Sequence, residues 1–500
     1  MAITEVRPSG RVDGTPAPRA GAPALRDRLG LAIALALVSG GLATLAFPPF
    51  GLWPLIFVAF VPLAVAQHRV APKGWGAAVF GLGVSAFLAG QLSKGLHEGD
   101  VAPVFELMPL YFGGIFALVA WRSRRFHART GYRWLWLSTP VAWTAIDFGR
   151  NLGALNALGG TWANPVYALY RHPVVLQPIS VFGMYGLELL VLVVNFALAT
   201  LVIRRIDGDP LPRRLLAGVG MAFVVWTLLG ALLMDSGGPR SVRVAAIQTG
   251  TAGRPWELRL ERAMAQTRAA AAQGAQIAVW SEGGLPFDPR IEHTAELKAL
   301  AAETGMYIGV GAGYDDAQGR HHNEVMLLSP NGAFSEPYGK DHPGTFANDF
   351  SDAQGTYPVV KTPFGDVGSV ICYDMDFTDT ARKMTRNGAR VIAAASSDVP
   401  AIAGTHYTHL VFRAIENRVS TFKGDKGFDS AIIDPWGRIL KSTVNPSGHG
   451  QATLVATVPL GSGRSPFVSF GDYMGWLALV GALGFVVYSL LRTRKVALDE

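Results

Sequence analysis

The sequence predicts a helical membrane domain of about eight spans that carries an inserted α/β domain. Three observations predict it. Hydrophobic residues make up 50% of the 500 and charged residues only 16%, against a charged share of about 25% in ordinary soluble domains. The apolar residues gather into runs that lie before residue 236 and after residue 470. Between these blocks, residues 240–465 read as short strands alternating with helices, enough chain for a substantial core of its own.

Residues 1–27 are rich in Pro, Gly, Ala and Arg and hold almost no large apolar side chains. Such a segment buries too little to offset its ordering entropy, so a flexible cytosolic tail is expected. It does not read as a cleaved signal peptide, because the apolar run behind it is too long and further runs follow. The membrane domain, residues 28–236, takes seven runs near 28–47, 51–66, 74–92, 103–121, 133–149, 177–203 and 213–234. An eighth run lies at 470–492, followed by a short tail, 493–500. A spanning helix needs about 20 apolar residues, since the hydrocarbon core is ~30 Å thick and a helix rises ~1.5 Å per residue. The second and fifth runs are short or interrupted, and Pro178 and Gly183 blur the start of the sixth.

The net charge of +7 is placed in alternate loops. Arg7, Arg11, Arg19, Arg26 and Arg28 precede the first run, and His68, Arg69 and Lys73 follow the second. Arg122, Arg124, Arg125, Arg129 and Arg133 follow the fourth, Arg204, Arg205, Arg213 and Arg214 the sixth, and Arg492, Arg494 and Lys495 the eighth. Lys and Arg favour the cytoplasmic side, so this alternation predicts both termini inside and the α/β domain outside, without nucleic acid as a partner. A single cysteine excludes an intramolecular disulfide and a multi-cysteine zinc site.

Within the α/β domain, strands are read at 241–248, 275–282, 306–314, 324–330, 365–373, 389–397 and 451–460. Helices are read at 256–274 and 405–420, and a hairpin at 430–440 around Asp434-Pro435-Trp436-Gly437. Three side chains in it carry chemistry. Cys372 follows an apolar strand and is flanked by Tyr373 and Asp374; it reads as either a passive buried cysteine or a reactive thiol. Glu282 closes a strand beside Gly283-Gly284. It is either a solvated turn residue or a base whose pKa desolvation raises. Lys340, in PYGKDHPGTF, is either a surface lysine or a cation that stabilises an oxyanion and lowers a thiol pKa.

The segments VWSEGGLPF, YGKDHP and SVICYDMDF, followed by SSDVP, HYTHLVFRAIENRV and AIIDPWGRI, together resemble the nitrilase, or carbon–nitrogen hydrolase, superfamily. The resemblance implies a four-layer αββα sandwich and a Glu–Lys–Cys triad, carried onto Glu282, Lys340 and Cys372. Mounted on membrane helices, the domain resembles the apolipoprotein N-acyltransferase family, as do LAFPPFGLWPL (45–55), Trp143, Arg150, TWANPVYALY, Gln177 and GMYGLELLVLVVN (183–195). There are departures. Ser281-Glu282-Gly283 stands where the family has Pro-Glu-Thr, and DHPGTFANDF replaces a Pro-Phe-Gly-Glu stretch. Tyr373-Asp374 stands for Tyr-Glu, and Asp147 lies where a membrane-proximal Glu is usual. Asp349 and Asp374 are candidates for the missing acids. Tyr373 and His406 are candidates for supporting roles.

What the resemblance implies is acyl transfer. Glu282 deprotonates Cys372, the thiolate takes an acyl chain from a phospholipid, and Lys340 with a backbone N–H near Tyr373 holds the oxyanion. The thioester then acylates the N-terminal amine of a diacylglyceryl-cysteine lipoprotein. That mechanism needs no metal or organic cofactor, and no third ligand of suitable spacing accompanies His406 and His409 for a metal. The expected place is a bacterial-type inner membrane, with the catalytic domain facing the periplasm or exterior. A tethered amidase that uses water as acceptor is the alternative, and a transporter or lipid-binding scaffold with a degenerate outer domain a second. Phe287, Pro343, Phe346 and Phe350 are candidates for lids, and Arg413, Glu416 and Arg418 for a structural salt-bridge network. Asp398, Lys423 and Asp425 are candidates to stand behind the site.

Overall fold

The computed structural model describes residues 25–98, 106–153, 159–235, 240–343 and 349–498. The tail proposed for residues 1–27 lies outside the described residues as far as residue 24, and its last three residues already belong to the first helix. The helices of the first half are α1 (Leu25–Leu45), α2 (Val61–Val65), α3 (Gly76–Glu98), α4 (Met108–Ala120) and α5 (Ser123–Arg129). They continue with α6 (Leu135–Gly149), α7 (Pro173–Leu176), α8 (Ile179–Asp207) and α9 (Arg213–Leu233). Among the described residues, five stretches are long and apolar enough to cross a bilayer: 25–45, 53–70, 179–207, 213–233 and 473–491. At 13 and 15 residues, α4 and α6 fall short of the ~20 that a perpendicular crossing needs.

The second run is broken, for a local reason. Trp53–Phe57 is a 3-10 turn, α2 follows, and Ala66–Val70 closes as a π turn. Pro54 and Pro62 sit at the starts of the first two pieces, where a missing N–H costs least. Broken helices inside a membrane must have their freed backbone groups satisfied by protein. Asn195 of α8 does this: its Oδ1 accepts from the Phe60 amide at 2.9 Å, and its Nδ2 donates to the Ile56 carbonyl at 2.8 Å. The uncertain start of the sixth run is a real kink. Gly183 adopts φ 65°, and a Cβ there would stand 3.0 Å from Phe467 Cε2.

The described residues of the second half form thirteen strands. They are β1 (Ser241–Thr249), β2 (Ile277–Val279), β3 (Tyr307–Asp315), β4 (His321–Leu328), β5 (Tyr338–Gly339), β6 (Asp349–Phe350) and β7 (Val359–Val360). Then come β8 (Val367–Ile371), β9 (Val391–Ser396), β10 (Ser420–Asp425), β11 (Asp429–Ile433), β12 (Ile439–Val444) and β13 (Gln451–Pro459). One sheet runs β13-β1-β2-β3-β4-β5, with β6 on β4; the other runs β12-β11-β10-β9-β8-β7. They pack face to face, β1 on β10 and β11, β2 on β9. The helices α10 (Trp256–Ala272) and α11 (Thr294–Thr304) cover the first sheet. The second is covered by α12 (Asp379–Arg386) and α13 (Tyr407–Asn417). This is the four-layer αββα sandwich. A short helix α14 (Pro466–Phe470) leads into α15 (Tyr473–Leu498), which continues as helix past residue 492, where a tail was expected.

Several boundaries differ from the sequence reading. The strand expected at 275–282 has only three residues, so Glu282 lies in the turn beyond it. The strand expected to reach Tyr373 stops at Ile371. The helix expected at 405–420 stops at Asn417, because Arg418 turns left-handed at φ 53° and the chain enters β10. That helix is buried along its whole length. One side meets the second sheet and the other meets α8 of the membrane domain.

The sheets approach closely where β10 crosses β2. A Cβ on Gly424 would stand 2.4 Å from the Val279 carbonyl oxygen and 3.1 Å from that of Ile247. Gly424→Ala should therefore force the sheets apart and cost about 1–3 kcal/mol. A thermal melt of the variant in detergent checks this; an unchanged Tm would show that the seam yields freely.

Candidate active site

Cys372 begins a short 3-10 turn directly after β8 and holds φ at 44°. A non-glycine residue in this region is strained, of order 1–3 kcal/mol, and persists only where its surroundings fix it. Asp374 fixes it. Its buried carboxylate accepts from the Ile371 amide at 2.9 Å, the His342 amide at 2.8 Å and the Tyr338 hydroxyl at 2.6 Å. The turn thus closes back on the strand that feeds it and on the Lys340 loop. Burial pushes the Asp374 carboxyl up to about 6. Tyr373, next in the turn, packs edge-on against Phe377 with ring centroids 5.0 Å apart.

Glu282 and Lys340 meet from separate loops of the first sheet. Lys340 Nζ donates to Glu282 Oε1 at 2.8 Å and lies 3.3 Å from Asp349 Oδ2. Asn323 Nδ2 of β4 donates to the same Glu282 oxygen at 2.7 Å. The Glu282 amide donates across the sandwich to the Ser396 carbonyl at 3.2 Å. The raised pKa expected of Glu282 is not found. Burial pushes the carboxyl up, but Lys340 and Asn323 outweigh it and hold it at about 2. Burial opposes the Lys340 charge, yet Glu282, the Cys372 sulfur and Asp349 raise its pKa. The Cys372 thiol is pushed well above its usual value by burial and by the Glu282 charge, with Lys340 pulling the other way. The resting site is therefore a carboxylate, an ammonium and a neutral thiol within one electrostatic unit.

His406 lies behind the sulfur. The Cys372 thiol is 4.0 Å from Asp398 Oδ1, which also accepts from Ser396 Oγ at 2.6 Å and bonds His406 Nδ1 at 2.7 Å. His406 Nε2 is 3.3 Å from Asp376 Oδ1, which His409 Nδ1 also meets in a very short contact. Lys423 reaches Asp398 Oδ2 at 2.5 Å and makes a still closer contact with Asp429. Spacing along the chain offered no third ligand to the histidines, but folding brings Cys372, Asp398 and His406 within 4.8 Å of one another. His406 bonds Asp398 through Nδ1 and holds Nε2 within ion-pair distance of Asp376, so the group reads as a charge network.

This network reaches the membrane domain. Asp376 accepts from Trp162 Nε1 at 2.5 Å, and its carbonyl accepts from the Thr161 amide at 2.9 Å. Tyr167 stacks on His409 with centroids 3.9 Å apart. Nearby, Arg413 and Glu416 pair at 2.8 Å with both side chains fully buried, and Glu416 accepts from the Met184 amide at 3.1 Å. Arg418 leaves that helix pair and bonds Gln177 and Ser180 instead.

Asn323, Asp376 and Trp162 were not singled out from the sequence. Asn323 reaches Glu282 only through the β3–β4 register, and no chain spacing signals it. Among the candidate lids, Phe287 is buried against Trp256 and His293, so it is core. Phe350 packs on His322 and under Arg320. Pro343 is half-buried, and Phe346 lies outside the described residues.

Residues 243–465 match the carbon–nitrogen hydrolase family, so the class is that fold mounted on membrane helices. Residues 39–197 match the apolipoprotein N-acyltransferase N-terminal domain. An apolipoprotein N-acyltransferase of Geobacter metallireducens is 26% identical over 92% of this chain and 95% of its own. One from Brucella melitensis is 26% identical over 91% of this chain and 96% of its own. An omega-amidase of Mus musculus is 27% identical but meets only 36% of this chain. Among solved structures, the NitN amidase of Neterenkonia sp. AN1 covers 47% of this chain and 95% of its own, at 20% identity and a TM-score of 0.38. The chain belongs to the apolipoprotein N-acyltransferase family.

Burial opposes the His406 charge, but Asp398 and Asp376 outweigh it and hold the imidazolium up to about 10. A folded-state pKa above the unfolded value of ~6.5 stabilises fully below that value. The gain is lost as pH rises from ~6.5 through about 10. Wild-type melting should therefore fall toward that of His406→Gln over this window. Parallel shifts of the two proteins from pH 6 to pH 10 would contradict it.

Proposed function

We propose that the chain transfers a fatty acyl group from a membrane phospholipid, through a thioester on Cys372, to the N-terminal amine of a lipoprotein. The observation that carries it is the strained Cys372 turn, set within electrostatic reach of the buried Glu282–Lys340 pair. Family membership supports lipoprotein N-acylation. The amidase reading is not favoured, because the amidase relative leaves the membrane half unmatched, while that half matches an acyltransferase domain.

The steps follow from the charges. Glu282 accepts the Cys372 proton as the sulfur attacks the ester carbonyl. Lys340 loses its Glu282 partner at that moment but keeps Asp349 at 3.3 Å, so the cation stays in place for the oxyanion and the thiolate. The low carboxyl pKa and the high thiol pKa make this proton transfer uphill, and Lys340 recovers part of the cost. The ester C–O bond then breaks, the glycerol oxygen takes the proton from Glu282, and lysophospholipid departs. The lipoprotein amine attacks the thioester and gives up a proton to Glu282. The C–S bond breaks, an amide forms, and the proton returns to sulfur. A backbone N–H near Tyr373 assists the oxyanion.

The membrane helices keep both lipid substrates out of water, where each exposed CH₂ costs about 0.8 kcal/mol. The loop charges support an arrangement with both termini cytoplasmic, about eight spans, and the α/β domain of 240–465 on the outer face.

Intact-mass analysis of purified protein incubated with phospholipid tests the reading. An acyl adduct should appear, should vanish in Cys372→Ala, and should transfer to a lipopeptide amine. Glu282→Gln should slow its formation by about 10²–10⁴-fold. Adduct formation at the parental rate in Glu282→Gln would remove Glu282 as the base.

A further inference from the structure

One cation at the edge of the candidate site has no counter-ion. Lys426 stands on the turn between β10 and β11, and its backbone is held firmly. Its carbonyl accepts from the Thr251 amide at 2.9 Å and from Thr249 Oγ1 at 3.2 Å. Asp425, just before it, accepts from the amides of Gly427 and Phe428 at 2.8 and 2.6 Å and from that of Asp398 at 2.9 Å. Both Asp425 oxygens are thereby engaged. Glu282 Oε1 is likewise taken by Lys340 and Asn323. Among the described residues, no carboxylate lies within ion-pair distance of Lys426, and its half-buried ammonium stays in contact with solvent.

Gly283 makes the room for that ammonium. It takes φ 53°, and a Cβ there would stand 3.7 Å from Lys426 Nζ. A longer side chain would compete with the ammonium for this space. Gly283 is the neighbour of Glu282, and the Lys426 charge is felt by both Glu282 and the Cys372 sulfur. Arg259 of α10 adds a second positive charge. It donates to the Gly283 and Gly284 carbonyls at 2.9 and 3.2 Å, and it too has no carboxylate partner among the described residues. Burial and the Arg259 charge hold the Lys426 pKa below the usual lysine value, the direction expected of a cation without a counter-ion.

An anion carried by a substrate answers this charge. The acceptor brings an amine, which a lysine repels whenever that amine is protonated. The donor brings a phosphodiester, a few bonds from the ester carbonyl that Cys372 attacks, and lysine suits phosphate as a point charge. Lys340 already serves the oxyanion. We propose that Lys426 binds the phosphodiester of the donor phospholipid and so selects phosphate-bearing esters over neutral ones, with the charge of Arg259 in support. This rests on the phospholipid reading above and names the part of the donor that is recognised. The donor then lies with its phosphate at the Gly283 edge and its ester carbonyl at the sulfur.

The test compares initial rates of Cys372 adduct formation by the full-length protein in detergent. The donors are phosphatidylethanolamine and a diacylglycerol with the same chains. Wild type should prefer the phospholipid, and Lys426→Gln should lower that preference about tenfold, as expected of a charge-assisted contact. Lys426→Arg, which keeps the charge, should restore most of it. Where diacylglycerol reacts too slowly to measure, the half-saturating phospholipid concentration decides, and it should rise about tenfold in Lys426→Gln. Added salt should erode the wild-type preference by screening the same contact, and this arm carries the test if Lys426→Gln fails to fold. A preference unchanged in Lys426→Gln would overturn the proposal. That result is also what an oxyanion role, or free inorganic phosphate bound at Lys426, would give. No adduct from either lipid in wild type would instead remove the acyl-transfer reading itself, and this proposal with it.

Discussion

The buried contact between Glu282 and Lys340 sets the chemistry of everything around it. Neither charge is tolerable there alone, because a lone ion in a low-dielectric interior is strongly penalised. Together, with Asn323 on the carboxylate and Asp349 on the ammonium, they are both held ionised. The pair belongs to loops of one sheet, while Cys372 belongs to the other. The Glu282 amide bonds Ser396 across the seam, so the spacing of the sheets decides whether the thiol meets its partners. Gly424, which lets that seam close, thereby bears on the geometry of the candidate site without touching it.

The strained cysteine is supported from two directions. From within the α/β domain, Asp374 ties the turn to β8 and to the Lys340 loop. From the membrane side, Thr161 and Trp162 take hold of Asp376, four residues beyond the sulfur. The helix Tyr407–Asn417 lies between these two bodies and buries its polar side against the membrane domain. A helix of an isolated sandwich would show that side to water. Here the Arg413–Glu416 pair and the histidines are buried because a second domain covers them.

Much of this was legible along the chain. Apolar runs located the helical regions, since lipid demands length and hydrophobicity that no soluble helix needs. The Glu282, Lys340 and Cys372 segments stood out through their order and their strand-end settings. The environment of Glu282 was misjudged: burial alone argues for a raised pKa, and the opposing lysine comes from 58 residues away. The helix boundary at Arg418 and the short β2 were likewise set by tertiary contacts that local propensity does not register.

Sequence alone determined the two-part architecture and singled out the proposed reactive groups, because hydrophobicity and residue chemistry are written residue by residue. Tertiary structure alone decided the ionisation of Glu282, the left-handed turn at Cys372 and the wiring of Asp376 to Trp162. Those depend on which distant groups share a few ångströms of low-dielectric space, and electrostatic energy is a function of that separation, not of distance along the chain.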